Sequence, residues 1–405
     1  MRHMIKGTCH PRFSEVRSVF EDNFNILGEV GASVCVWYRG ERVIDLWGGY
    51  RDLNARDPWS ADELVNLFSV TKGLVATCFL MLVDRGLIRY EDPVSRYWPE
   101  LIDSPICDFK ASRQEITIAD LLNHRAGLLG FRERLSLEEL EDESLLLHRL
   151  ERERLYWPSG SEQGYHGVSF GLYTSALFKK ITGRSLGEFL RTEVTGPLGL
   201  DLYLGLTEEE EARLRPRLAP IFPNQLSDLL CGVLPNVFLR SNNEGRFYRG
   251  VLRSGSPGAL AFGQPAELGA RGLNNFNTAR VRRLELPWAN AQGSARGVAG
   301  LYQALLQEGK LIRSDSLEYI KPRQTWVETD LVLRKPMGFS YGFAKEERHL
   351  FSPNPESFGH PGAGGALGWA DPTEELAIGY VMNRMGYQVR SPRALALCHA
   401  IYRCI

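Results

Sequence analysis

The stretch N-L-F-S-V-T-K-G, residues 66–73, sets Ser69 and Lys72 three positions apart at the head of a long apolar run. The run extends through G-L-V-A-T-C-F-L-M-L-V-D-R to Arg85 and is closed by Gly86, so it predicts a helix that is apolar almost all round, buried in a core and ended by a glycine C-cap. On such a helix positions i and i+3 share a face, which brings the Lys72 ammonium beside the Ser69 hydroxyl. Ser69 stands at the helix N-terminus, where the macrodipole and free N–H groups stabilise an alkoxide and a neighbouring oxyanion. A serine hydroxyl is a poor nucleophile near neutral pH without an adjacent base. Lysine serves as that base only with a lowered pKa or with a group that shares the proton. Roughly one Ser-x-x-Lys match arises by chance in such a chain. Ser69 begins the one match in this sequence, and a lysine buried there is costly unless partnered.

Working outward, V-G-A-S-V-C-V-W-Y (30–38) and R-V-I-D-L-W-G-G (42–49) flank R-G-E and predict a β-hairpin. I-T-I-A-D-L-L-N-H-R-A-G-L (116–128) predicts a short helix capped by Thr117 with Asp120 and stopped at Gly127, with His124 fixing a turn by hydrogen bonds. Leucines and charges alternate at helical spacing over 135–155, a solvated face over a core face. Residues 205–285 contain E-E-E-E, scattered prolines and glycines and little periodicity, and predict an irregular insert. F-S-Y-G-F-A (339–344), A-L-G-W-A (366–370) and L-A-I-G-Y-V-M-N (376–383) predict antiparallel strands, the last two joined by the turn D-P-T-E, with a final helix over 391–405. Strands at both ends with helices between them give one α+β domain over 1–405. Residues 1–105 and 286–405 supply an antiparallel sheet built from both chain termini, and 106–285 a mainly helical insert.

The chain has 405 residues, 43% hydrophobic and 24% charged, with a net charge of −1. That is the composition of a globular protein whose summed field favours neither nucleic acid nor anionic membrane, so the expected partner is a small molecule. Seven cysteines (9, 35, 78, 107, 231, 398 and 404) include no C-x-x-C pair, and several lie in apolar runs, which favours a reducing compartment. No apolar h-region opens the chain and no stretch reaches about 18 uninterrupted apolar residues. The expectation is a cytoplasmic protein without a membrane span. No H-E-x-x-H, Cys/His cluster or G-x-G-x-x-G calls for a metal or dinucleotide, so no cofactor is expected. Sequence leaves the oligomeric state open.

A second serine competes with Ser69. G-V-S-F-G (167–171) satisfies G-x-S-x-G around Ser169, but the nucleophile elbow needs a buried strand before it, and W-P-S-G-S-E-Q-G-Y-H (157–166) is polar and loop-like. Ser169 is therefore expected to be a helix residue.

Five ordered blocks, E-V-G-A-S-V, L-F-S-V-T-K, I-T-I-A-D-L-L-N-H-R-A-G-L, Y-W-P-S-G-S-E-Q-G-Y-H and H-P-G-A-G-G-A-L-G-W-A-D-P, resemble the serine β-lactamase and penicillin-binding-protein superfamily, in its branch of class C β-lactamase-like carboxylesterases. The resemblance implies a β-lactamase-like fold with Ser69 as the acylated nucleophile, Lys72 as its proton-sharing neighbour and Tyr165 as general base. Tyr165 would act either as a phenolate stabilised by Lys72 or as a neutral relay. It further implies an oxyanion hole of the Ser69 and Ala363 backbone N–H groups. The third motif falls on His360, Pro361 and Gly362, with Gly362, Gly364 and Gly365 keeping that wall low for substrate. The second motif ends here in Gly167 rather than asparagine, and His360 and Pro361 replace the lysine and threonine that hold a substrate carboxylate. Those departures imply a carboxylesterase acting on short to medium acyl esters. A β-lactamase or D-alanyl peptidase, an acyltransferase and a non-catalytic scaffold are the alternatives. Phe131, Trp288, Asn290 and Trp369 are candidates for lining an acyl or alcohol pocket, though large aromatics are more often core.

Overall fold

The computed structural model describes residues 5–102, 115–223, 228–240 and 242–405. The boundary near residue 105 and Cys107 lie outside the described residues, as does the side chain of Cys231. Three strands open the chain: β1 (Lys6–Cys9), β2 (Gly31–Tyr38) and β3 (Glu41–Gly49). Three two-residue strands follow: β4 (Val65–Asn66), β5 (Leu202–Tyr203) and β6 (Gln292–Gly293). The C-terminal part supplies β7 (Thr325–Val327), β8 (Met337–Ser340), β9 (Phe343–Lys345), β10 (Phe358–Pro361), β11 (Leu367–Asp371) and β12 (Leu376–Met382).

Nine of these form one antiparallel sheet in the order β1-β3-β2-β12-β11-β10-β9-β8-β7. The β2–β3 hairpin turns through Arg39 and Gly40, both at positive φ, the geometry that matches the twist of paired strands. β2 then pairs with β12 from Leu376↔Tyr38 to Met382↔Ala32, so the N-terminal hairpin and the C-terminal strands close one sheet. At β11–β12 the Asp371 carboxylate accepts from the Thr373 N–H at 2.9 Å and fixes the turn.

Both faces are covered. The helix Ala295–Leu306 lies across β2, β11 and β12, and Gly379 permits its close approach, because a Cβ there would stand 2.2 Å from the Ala295 carbonyl. Helix α1 (Ser14–Asn25) packs on the C-terminal helix Pro392–Arg403. Tyr402 from that helix bonds Asp371, three residues along β11 from Gly368, which faces Tyr302 and Val298 of the helix Ala295–Leu306, so Asp371 lies on the opposite face. Helix α2 (Val70–Asp84) rests on β9, β10 and β11 and is buried from Val70 to Leu82.

Two expectations change. Residues 205–285 are not irregular: within their described part the helices Glu208–Leu214, Leu234–Leu239, Asn243–Leu252, Pro257–Phe262 and Ala279–Arg283 follow one another. Thr207, Asn242, Ser256 and Thr278 cap four of them by accepting a backbone N–H. The E-E-E-E run is the first turn of Glu208–Leu214, where acidic side chains face the positive end of the dipole. These helices are too short for periodicity to register. The helix after Thr117 has the expected capping box with Asp120 but covers only Ile118–Leu122 and ends well before Gly127. Asn123 and His124 leave it, His124 at φ 61°, to make the contacts described next. No helix among the described residues is long and apolar enough to cross a membrane.

Candidate active site

Ser69 is the N-cap residue of α2, half-buried, and its side chain caps no backbone N–H. Phe68 before it adopts φ 47°, a left-handed conformation that costs a bulky residue about 1–2 kcal/mol. Its ring packs on Phe276, with centroids 5.3 Å apart. The strained turn sets the hydroxyl at the head of the helix, where it caps no backbone N–H. Among the described residues neither the Ser69 N–H nor the Ala363 N–H has an acceptor within the chain.

Lys72, one turn along, is completely buried. Its Nζ donates to the carbonyls of Gly167 at 2.9 Å and Trp288 at 3.1 Å and lies 4.8 Å from the centroid of the Tyr165 ring. No carboxylate pairs with it among the described residues, and burial drives its pKa well below the ordinary lysine value. Tyr165 is also buried. Burial raises its phenol pKa, opposed by the neighbouring Ser69 hydroxyl and reinforced by the charge of Asp330. The structure thus brings Ser69, Lys72 and Tyr165 together.

The loop carrying Tyr165 is fixed through three successive backbone N–H groups. Gly164 donates to the His124 carbonyl at 3.2 Å, Tyr165 to Asp330 Oδ1 at 3.1 Å and His166 to His124 Nδ1 at 3.0 Å. Asp330 Oδ1 also accepts from the N–H groups of Val332 and Leu333, both at 2.9 Å. His124 therefore fixes a turn as expected, and that turn carries Tyr165. Asp330 went unrecognised in the sequence. Its one signal is an acid opening D-L-V-L-R, and nothing there ties it to a loop 165 residues earlier.

The third-motif segment abuts the turn that carries Ser69, since a Cβ on Gly362 would stand 2.5 Å from the Leu67 carbonyl. The space a side chain would need at Gly364, which has φ 83°, is filled by Met385, and at Gly365 by Ser391. Close packing and backbone conformation, rather than a wall lowered for substrate, account for glycine at those two positions. His360 is buried with its ring centroid 6.0 Å from that of Tyr165. Burial first, and Lys72 second, push its pKa down to about 3, so it carries no charge near neutrality. Its Nδ1 lies 2.8 Å from the Pro361 carbonyl and must be the protonated nitrogen.

The remaining candidates have structural surroundings. Ser169 is the first residue of the helix Ser169–Thr182, buried, and donates to the Leu129 carbonyl at 3.0 Å, with no strand before it. The Asn290 amide is engaged by Leu286, Val281 and Leu284. Trp369 packs on Phe351, Phe131 is core, and Trp288 contributes its carbonyl to Lys72.

Known proteins share this architecture. The esterase/beta-lactamase LipL of Mycobacterium tuberculosis is 32% identical over 94% of this chain and 83% of its own length. The crystal structure of a family VIII carboxylesterase superposes with a TM-score of 0.83 at 33% identity, covering 99% of this chain and 100% of that one. A penicillin-binding protein homolog from Caulobacter crescentus gives 0.83 at 31% identity with the same coverage. The Beta-lactamase family model spans residues 20–399, from within α1 to within the last helix, and so takes in both halves of the sheet and every residue of the site: the chain belongs to the Beta-lactamase family.

Proposed function

We propose that the protein is a serine carboxylesterase that cleaves short to medium acyl esters through a Ser69 acyl-enzyme. The observation that carries this is a serine at the head of α2 beside a buried tyrosine whose ring centroid lies 4.8 Å from the Nζ of a buried, uncompensated lysine. A neutral lysine has two N–H donors, matching the Gly167 and Trp288 carbonyls, and keeps one lone pair to accept a proton. Because burial opposes a Tyr165 phenolate, the relay is favoured over the phenolate base. The Ser69 proton passes to Tyr165 Oη while the phenol proton moves to Lys72 Nζ, and Oγ attacks the ester carbonyl carbon. The oxyanion is held by the Ser69 and Ala363 N–H groups, two donors contributing on the order of 3 kcal/mol each. Collapse expels the alcohol, which takes the proton back along the same path, and water repeats the sequence to release the acid.

The neutral His360 and the donorless Pro361 support a neutral ester over a carboxylated β-lactam or peptide. The carboxylesterase activity in the family VIII neighbour's name supports the same choice. A cytoplasmic location belongs to this proposal, supported by the free, buried thiols of Cys35, Cys78 and Cys398. Intact-protein and peptide mass spectrometry after treatment with a p-nitrophenyl phosphonate tests the assignment. The adduct is expected on Ser69, and an adduct on Ser169 or none at all overturns it.

A further inference from the structure

Eleven large hydrophobic side chains are exposed among the described residues, and five of them fall within residues 229–252: Leu229, Leu230, Phe238, Leu239 and Leu252. Phe238 is 76% and Leu239 82% exposed. Ile26 and Leu27, also exposed, border this segment, because Arg384 donates to the Gly28 carbonyl and pairs with Asp228. Scattered exposed leucines need no explanation, but Phe238 and Leu239, adjacent at the end of the helix Leu234–Leu239 and each more than three-quarters exposed, present apolar side chains that the fold itself does not cover.

Charge indicates the partner. Arg240, Arg246 and Arg253 are exposed on the same segment, and among the described residues none of the three meets a carboxylate. Arg249 differs, since its guanidinium donates to the carbonyls of Asn236, Val237 and Arg240 and ties the two helices together. Asp228 is taken by Arg384, which leaves Glu244 as the acid of this stretch. Apolar tips edged by unpaired guanidinium groups fit a lipid surface with anionic headgroups, the hydrocarbon receiving Phe238 and Leu239 and the phosphates receiving the arginines. A second copy fits poorly, because a two-fold contact would set the same arginines against one another. The molecule as a whole has a net charge of only −1, so attraction to such a surface has to be local.

The segment also reaches the site. Phe247 packs on Phe262 at 5.8 Å, and Phe262 on Tyr165 at 6.0 Å, while the Ala261 carbonyl accepts from the Val168 N–H. We infer that the exposed side chains of Leu229, Leu230, Phe238, Leu239 and Leu252, with Arg240, Arg246 and Arg253, form a docking surface for an anionic lipid–water interface, placing the site where apolar esters partition. Docking stands without the esterase reading, and only the delivery of esters rests on it.

Flotation with phosphatidylcholine vesicles, with and without phosphatidylglycerol, tests docking directly. The protein is expected to float with the phosphatidylglycerol vesicles and to lose binding at high salt. Phe238→Asp with Leu239→Asp should weaken binding at least about tenfold, and Arg240→Glu with Arg253→Glu about fivefold per arginine. Both pairs are exposed and outside the site, so each should keep wild-type turnover of a water-soluble p-nitrophenyl ester. Failure of the wild type to float, or flotation of both double variants like wild type, overturns the inference. So does a solution dimer that Phe238→Asp with Leu239→Asp dissolves, which would give the surface to a second copy. Flotation without any ester turnover would retain docking and remove the esterase reading.

Discussion

Lys72 Nζ stands 4.8 Å from the centroid of the Tyr165 ring, its hydrogen bonds directed to two carbonyls rather than to any acid. Because its folded pKa lies below the unfolded value, the unfolded chain binds more protons across that window, and stability contributed by this site rises with pH until the unfolded value is passed. Urea melts of wild type and Lys72→Met at about pH 7 and about pH 9 should show wild type gaining relative to the variant, by at most about 1.4 kcal/mol per pH unit. A parallel pH dependence in the two proteins would contradict a buried, readily deprotonated amine. Ester kcat/KM of the wild type should fall as acid protonates Lys72.

Ser69→Ala should abolish hydrolysis of p-nitrophenyl butyrate, and Tyr165→Phe should reduce kcat about a thousandfold, as residues acting as one unit do. Ser169→Ala should keep the activity and lose about 1 kcal/mol of stability with its bond to the Leu129 carbonyl. Steady-state kinetics and thermal melts on the three variants separate the two serines.

Asp330 acts on Tyr165 through the backbone. Asp330→Ala orphans the N–H groups of Tyr165, Val332 and Leu333 and should cost about 3 kcal/mol or more, together with most of kcat. Asp330→Asn keeps an acceptor at the Oδ1 position, where all three bonds converge, and should retain most of both. Equal losses in the two variants would show that charge, not the acceptor, is what the loop requires.

Discrimination between substrates follows from the uncharged third motif. Nitrocefin, which carries a carboxylate, should show a kcat/KM at least about a hundredfold below that of p-nitrophenyl butyrate, the cost of missing charge-assisted hydrogen bonds. Comparable values in a stopped-flow comparison would refute the preference for neutral esters.

Much of this was legible in the residues. The hairpin of β2 and β3, the strands β11 and β12 and the buried helix after Ser69 each announce themselves by alternation or by an unbroken apolar run with turn residues at its ends. Residues 339–344, expected as one strand, instead fold into the hairpin of β8 and β9 at Tyr341 and Gly342, and β10 was not expected. The β-lactamase-like α+β fold and the recognised superfamily follow from ordered blocks that the family model and neighbouring structures match. Other features were hidden for physical reasons. The helices between Glu208 and Arg283 are only a few turns long and are specified by caps rather than by periodicity. The roles of Asp330 and His124 in holding Tyr165 depend on backbone N–H groups, which leave no mark on side-chain identity.

The position of β12 between β2 and β11 has a consequence for biosynthesis. Gly31 N–H finds its partner on Asn383, 352 residues later. A ribosome that has delivered Ser69 and its helix has therefore not yet supplied the strand that completes the sheet beside β2. Until residues 376–382 emerge, β2 presents an unpaired edge on the side β12 will cover, which makes nascent chains of this protein natural clients for chaperones and makes late translational stalling more harmful than early stalling.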